Sequence, residues 1–327
     1  MQIRACVITA LTMIFVLLPF LPESLVIPLF FQSLPTYIYV LICATLIVLT
    51  VHMFFSIKWY VRLTMFITLC GFMLSSIYSF NTTFTANAKS NHNNLSIVVW
   101  NTFHWDQKKS RESLINIFRS MDADIVMLQE HIYWSEESKS HQPATDLSIL
   151  KSCCGYSYIL KKGELVVASR HPITEVNIDS AYLQKTRVEV NYQERKHIDL
   201  INVHIPVQYD LASSPWESTF WEHLFNALVM REEAFSLLSK SLSKNIFIGG
   251  DFNSTLLSPN VRALTDNLHT VNFWPSFPYG MSIPTLWSID HIFFSKSNLV
   301  DCSLVTSEVL SMKIPSDHLP IACVVYL

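Results

Sequence analysis

Acidic side chains are almost missing from the first 80 residues of this chain: Glu23 is the only one, and Arg4, Lys58 and Arg62 are the only fixed bases there. So little charge argues against a solvated surface for that stretch. It also accounts for a composition of 50% hydrophobic and 15% charged residues over 327 positions, too apolar for an ordinary soluble protein. The rest of the chain lacks other things. No CxxC pair or His/Cys cluster has zinc spacing, which argues against a structural zinc. No basic run of the kind that grips a phosphate backbone is present, and no internal repeat of fixed period is visible. Beyond residue 89 there are 19 Lys and Arg against 25 Asp and Glu, so this part is acidic.

What the first 80 residues do contain is three apolar runs, 5–21, 36–57 and 61–80. About 20 apolar residues cross a hydrocarbon core, so the second and third qualify as membrane spans, whereas the first is short and holds Pro19. A signal peptide is the alternative for the first, but no small-residue cleavage site follows it and further spans do. Two or three transmembrane helices over 1–80 are therefore expected. The fixed positive charges at Arg4 and at Lys58 and Arg62 belong on the cytoplasmic side, and either count then sends the chain after residue 80 outside the cytoplasm. The polar segment 81–94 reads as a flexible tether of about 14 residues. Cys6, Cys43 and Cys70 fall in the spans as small apolar residues, while Cys153, Cys154, Cys302 and Cys323 allow three pairings.

From residue 95 to 327 short apolar strands alternate with helical stretches. "LSIVVWN", "ADIVMLQE", "GELVVASRHPI", "HIDLINVHIP", "NIFIGGDFN", "SIDHIFFS" and "DHLPIACVVYL" read as strands, and "RESLINIFRSM" and "FWEHLFNALVMREEAFSLLSKSL" have helical spacing. This mixture predicts an α/β domain of two packed sheets flanked by helices. Polar residues stand at or just beyond the strand ends: Asn101, Glu130, His204, Asp251, Asn253, Asp290, Asp317 and His318. Any one of them has a bland explanation, since Asn and Asp end strands by bonding nearby backbone and a lone His is usually structural. Eight in this order call for a shared purpose.

Cleavage of a phosphate ester supplies one. It needs a divalent cation against the phosphoryl oxygens, a group that orients or deprotonates water, and donors for the charge that develops. Magnesium takes hard oxygen ligands and usually only one or two carboxylates, a requirement that Glu130 and Asp317 meet. Asp290 and His318 suit a dyad in which the carboxylate fixes the imidazole tautomer.

With "VVWN", "ADIVMLQE", "LVVASRHPI", "INVHIP", "GGDFN", "IDHIFFS" and "SDHLP" in that order, residues 95–327 resemble the endonuclease/exonuclease/phosphatase superfamily, which includes apurinic endonucleases, pancreatic-type deoxyribonucleases, neutral sphingomyelinases and inositol polyphosphate phosphatases. The resemblance implies a DNase I-like two-sheet sandwich and a Mg2+ (or Mn2+) dependent phosphodiesterase. It implies Glu130 as principal metal ligand with Asn101 beside it and Asp317 in support. Asp251 would orient or deprotonate water, Asn253 would hold that water or a phosphate oxygen, His318 polarised by Asp290 would contact the phosphate or act as base, and His204 would stabilise the phosphate or assist the leaving group.

Departures narrow the branch. Phe103 stands where apurinic endonucleases carry an acid two residues after the first Asn, and the Trp-Cys-Asp-Arg string of the inositol phosphatases is missing. His204 in "NVHIP" is similar to the deoxyribonuclease and sphingomyelinase side. Nucleic acid is the expected substrate, with a phospholipid or sphingomyelin headgroup as the alternative; the acidic balance includes the metal site's own carboxylates and does not exclude nucleic acid. Arg170, Lys161 and Lys162 are candidate phosphate contacts, and the aromatic stretches 209–225 and 270–287 suit base stacking or a bilayer interface. A catalytically silent binding or scaffold module of the same fold is the reading from a different class.

Overall fold

The computed structural model describes residues 94–105, 111–144, 147–191, 196–208, 214, 216–271, 288–305 and 314–326. The expected membrane spans within 1–80, the tether up to residue 93 and most of the aromatic stretch 270–287 lie outside the described residues. Among those described, no helix is long and apolar enough to cross a membrane. The chain divides into two compact units. Of the first, Met1–Thr83 with Ser254–Ala263, only the short second piece is described. The second, Phe84–Asn253 with Leu264–Leu327, carries the strand ends singled out above.

In chain order the elements are β1 (Asn94–Asn101), α1 (Arg111–Met121), β2 (Ile125–Gln129), β3 (Ile132–Ser135), β4 (Ser140–Pro143), α2 (Ser148–Cys154), β5 (Tyr158–Lys162), β6 (Leu165–Ser169), β7 (Ile173–Val176), β8 (Leu183–Asn191), β9 (Lys196–His204), α3 (Ser218–Lys240), β10 (Ile246–Asp251), α4 (Pro259–Thr265), β11 (Leu268–Val271), β12 (Asp290–Ser295), β13 (Leu299–Leu304) and β14 (Ile321–Tyr326). Two six-stranded sheets result, ordered β13-β14-β1-β2-β6-β5 and β11-β12-β10-β9-β8-β7, with β3 and β4 as a separate hairpin.

Both sheets use one pairing scheme. Each has a central parallel pair, β1 with β2 and β10 with β9, flanked on both sides by antiparallel neighbours. The two central pairs pack face to face. Ile97, Val99, Ile125 and Met127 from one sheet meet Ile198, Leu200, Phe247 and Ile292 from the other in a single buried cluster. These strands read as near-continuous apolar runs because they are covered on both faces. On the outer face of the first sheet, Ile117 and Phe118 of α1 and Ile149 and Leu150 of α2 close over Val98, Trp100, Val126 and Leu128. The helix α3 buries Phe220, Leu224, Ala227, Ala234, Phe235 and Leu238, with Phe235 against Phe252 just beyond β10. The expected two-sheet sandwich is therefore present.

Two glycines explain how the sheets come so close. A Cβ on Gly249 would stand 2.7 Å from Val99 Cγ2 across the sheet interface and 2.9 Å from Ile292 Cδ1. At Gly250, φ is +149° and a Cβ would lie 1.9 Å from the Val203 carbonyl oxygen, so only glycine fits. A polar link crosses the same interface: Gln129 Nε2 donates to Asn202 Oδ1 at 2.6 Å, and Asn202 Nδ2 donates to the carbonyls of Leu128 and Val166. Both side chains are fully buried, and each donor is satisfied, as burial demands.

Candidate active site

The parallel pairs β1/β2 and β9/β10 all end at the same edge of the sandwich, where binding sites of parallel sheets are found. Their last residues are Asn101, Gln129, His204 and Asp251. Asn101 and Asp251 sit on opposite sheets, yet Asn101 Nδ2 donates to Asp251 Oδ2 at 3.0 Å and to Glu130 Oε1 at 3.1 Å. The glycine pair before Asp251 permits that approach.

The eight polar residues expected from the sequence converge here. His204 Nε2 lies 3.8 Å from Glu130 Oε1 and 3.9 Å from Asp251 Oδ2. His318 Nε2 lies 3.7 Å from Asp251 Oδ2 and 4.0 Å from Asp317 Oδ1. The Asn253 backbone N–H donates to Asp251 Oδ1 at 2.7 Å, and its side-chain amide donates to the Ile205 carbonyl at 2.9 Å. His318 Nδ1 is 2.9 Å from Asp290 Oδ2, which is the dyad expected from the sequence. The Ser316 hydroxyl donates to the Asn101 carbonyl at 2.7 Å and accepts from the His318 N–H at 3.0 Å, tying the loop before β14 to the end of β1.

Left-handed backbone concentrates at this edge. Phe103 (φ 47°), His104 (φ 56°), Glu130 (φ 52°) and Asn253 (φ 45°) are non-glycine residues with positive φ, a conformation that costs of order 1–3 kcal/mol each. At Glu130 it turns the chain out of β2, with the Ile132 N–H returning to the Glu130 carbonyl at 2.7 Å.

Burial and mutual charge shape the titrations. Burial pushes the Asp251 carboxyl up to about 6 against the pull of His318 and His204, and likewise lifts Asp317 to about 6 against His318. Burial disfavours charge on His318, but Asp290, Asp251 and Asp317 overcome it and raise the imidazole to about 10. His204 shows the same contest: burial opposes the charge, and Glu164, Asp251 and Glu130 prevail, raising it to about 9.

Glu164 joins the site without a signal in the sequence. Its Oε1 is 2.7 Å from His204 Nδ1, forming a second carboxylate–imidazole dyad. It stands at the tip of the β5–β6 hairpin, where an acid reads as surface. Only the antiparallel pairing of β6 with β2 shows that the start of β6 meets the end of β2. Three candidate cations fall elsewhere. Arg170 is held by Asp122 at 2.6 Å and by the Cys154 carbonyl at 3.2 Å, beside Asp124 at the opposite end of β2 from Glu130. Lys161 is spent on the Ala144 carbonyl, and Lys162 on the carbonyls of Ile178 and Leu183. They brace hairpins rather than face a phosphate.

The donor set suits a hard divalent cation. Glu130 offers a partly exposed carboxylate, and buried Asp317 Oδ1 has no hydrogen-bond partner among the described residues, a state that costs free energy unless something positive faces it. Asn101 presents its amide nitrogen to the carboxylates, and its oxygen accepts from the Phe103 N–H at 3.0 Å. Ligand atoms of Asp251, Asp290 and His318 also lie within 4.8 Å of one another, but the Asp290–His318 hydrogen bond already engages two of the three. Oxygen ligands around Glu130 match magnesium better than this His-containing group.

No curated protein matches the chain in sequence. Among solved structures, an endonuclease/exonuclease/phosphatase from Beutenbergia cavernae DSM 12333 is similar at 16% identity, covering 72% of this chain and 72% of that one with a TM-score of 0.49. A beta toxin from Staphylococcus aureus with bound magnesium ions is similar at 17% identity over 70% of this chain and 99% of its own, TM-score 0.46. The human Nocturnin catalytic domain with bound sulfate is similar at 14% identity over 73% and 96%, TM-score 0.46. Residues 98–318 match the endonuclease/exonuclease/phosphatase family, and the chain belongs to that family.

Proposed function

We propose that this chain is a membrane-tethered, divalent-metal-dependent phosphodiesterase, with its catalytic domain outside the cytoplasm and nucleic acid as its substrate. The observation that carries the reading is the meeting of Asn101, Glu130 and Asp251 within 3.1 Å across two sheets, flanked by two carboxylate-held imidazoles. Glu130, with Asp317 and Asn101 nearby, would hold the cation, whose chemistry is to neutralise the phosphoryl oxygens. Asp251 accepts the proton of the attacking water; the Asn253 N–H pins its Oδ1 and leaves Oδ2 toward the site. His318, oriented by Asp290, donates from Nε2 to a phosphoryl oxygen. His204, oriented by Glu164, stands on the other side of Asp251 and Glu130 and donates to the leaving oxygen as the P–O bond breaks.

The test is release of p-nitrophenol from bis(p-nitrophenyl) phosphate by the full chain. Magnesium-dependent turnover is expected, with Glu130→Ala and chelation by EDTA each lowering it roughly 100-fold or more, as loss of one charge-stabilising group does. Full activity in both would end the metal assignment, and no turnover by folded protein would favour the scaffold reading.

Support for an extracytoplasmic site comes from the Cys302–Cys323 disulfide across the paired strands β13 and β14, since such bonds persist in oxidising compartments. A phosphatase fused after Asn91 should be active, and a cytoplasm-dependent fluorescent reporter there should stay dark. One observation favours a lipid-headgroup substrate as second reading: Trp221, Phe225 and Val229 recur every four residues along α3 and are exposed, with Trp216 almost fully so just before the helix.

A further inference from the structure

Four aromatic rings lead outward from Glu130. His104 Nε2 lies 3.7 Å from Glu130 Oε2. The Phe103 ring stacks on His104 nearly parallel, centroids 5.2 Å apart and planes 10° apart. On its other side His104 meets His141 at 4.3 Å, and His141 meets Trp134 at 5.1 Å edge to face. Trp134 and His141 are direct partners across the β3–β4 hairpin. The end rings are open to solvent, Phe103 at 38% and Trp134 at 39% exposure, whereas the neighbouring core rings Trp100 and Trp105 are buried.

Resting on the phosphodiesterase reading, we propose that Phe103, His104, His141 and Trp134 form a stacking subsite that takes a nucleobase of the substrate beside the scissile phosphate. The left-handed backbone at both Phe103 and His104, with the Phe103 N–H bonded to Asn101 Oδ1, sets two adjacent rings beside Glu130. Stacking also answers the charge problem. The domain carries no basic run, and Lys139 on this hairpin is paired with Glu136 at 2.8 Å. Base faces would then add to what the two imidazoles of the site supply, a mode worth a large factor per base and tolerant of sequence. A hydrocarbon surface suits the strip less well, because two of its four rings are imidazoles whose polar edges would lose water.

The experiment is equilibrium binding by the full chain in EDTA, so that no turnover is involved and the result stands whether or not a reporter ester is cleaved. The probes are a fluorescent oligothymidylate, an abasic phosphodiester oligomer of the same length, and glycerophosphocholine as the lipid-headgroup analogue. Oligothymidylate should bind more tightly than the abasic oligomer. Trp134→Ala should weaken it by roughly 5- to 150-fold, the worth of one base on an aromatic ring, and bring it toward the abasic value. His141→Ala, at an exposed hairpin position, gives an independent reading if Trp134→Ala fails to fold. Equal affinity for the two oligomers, or no effect of either substitution, overturns the proposal. Trp134-dependent binding of glycerophosphocholine without binding of oligothymidylate overturns it in favour of a lipid headgroup.

Discussion

Replacing Gly249 with Ala should damage catalysis more than it damages the fold, and a second substitution should repair it. The added Cβ would meet Val99 Cγ2 at 2.7 Å and Ile292 Cδ1 at 2.9 Å, whereas carbon atoms rest about 3.5–4.0 Å apart. The sheets must therefore separate locally by about 0.8 Å, or the two side chains must turn off their rotamers. Overpacking of this kind costs about 1–3 kcal/mol. Two residues on, the Asn101–Asp251 hydrogen bond spans the same interface at 3.0 Å, and a shift of about 0.8 Å carries it beyond hydrogen-bonding range. Misplacement on the order of 1 Å lowers turnover about 100-fold. Val99→Ala removes the clashing methyl. It leaves a cavity that lowers stability in its own right, so the expected repair is in kcat and in the coupling between the two sites. The assay is a double-mutant cycle on urea midpoint and on kcat for bis(p-nitrophenyl) phosphate. Undiminished kcat in Gly249→Ala, or a double variant no better than the single one, would refute the claim that sheet spacing sets the site.

Gly250→Ala should have no such repair, because its Cβ would meet the Val203 backbone; soluble expression with a native melting profile would count against this. Asp290→Asn keeps the shape of the His318 dyad but removes its charge, and a loss of kcat of about 100-fold or more is expected with little change in stability; unchanged kcat would make the dyad structural. Asp199, within β9, is buried; burial opposes its ionisation, but the hydrogen bond from Arg187 and the nearby Lys185 help hold the carboxyl below its ordinary value. A depressed carboxylate adds stability above its unfolded pKa of about 3.9 and loses that contribution as pH falls through the folded value. Asp199→Asn should thus lower the unfolding free energy at pH 7, read by urea titration, by about 1–3 kcal/mol, and the gap should narrow below about pH 4; a gap that stays constant down to pH 2 would exclude the linkage.

Much of this arrangement can be read in the residues themselves. Apolar runs ending in Asn101, Glu130, His204 and Asp251 are visible because doubly covered strands leave a hydrophobic signature and their polar ends interrupt it. The helix at 111–121 coincides with the run "RESLINIFRSM". The strand β8 escapes that reading because "LQKTRVEVN" mixes Lys, Arg and Glu into its sequence. Glu164, Phe103 and His104 escape for a different reason. Each depends on which strand lies beside which, or on a left-handed backbone, and neither leaves a periodic trace. Arg170 falls in the same gap, since its neighbour Ser169 pairs with Ile125 and so lies at the far end of β2.

The strand order has a consequence for the life of the chain on the ribosome. β1 lies between β2 and β14, and β14 spans Ile321–Tyr326 near the carboxyl terminus. His318 is thus made long after β1, its carbonyl meeting the Trp100 side chain across a sequence separation of 218 residues, and β1 waits for β14 before its sheet can close. Pairings so distant in sequence are slow to form. An unfinished or truncated polypeptide would then carry the Glu130 and Asp251 edges without the imidazole that completes them. On the proposed function, hydrolytic competence would then be acquired only once the segment carrying His318 and β14 has been made and has docked beside β1.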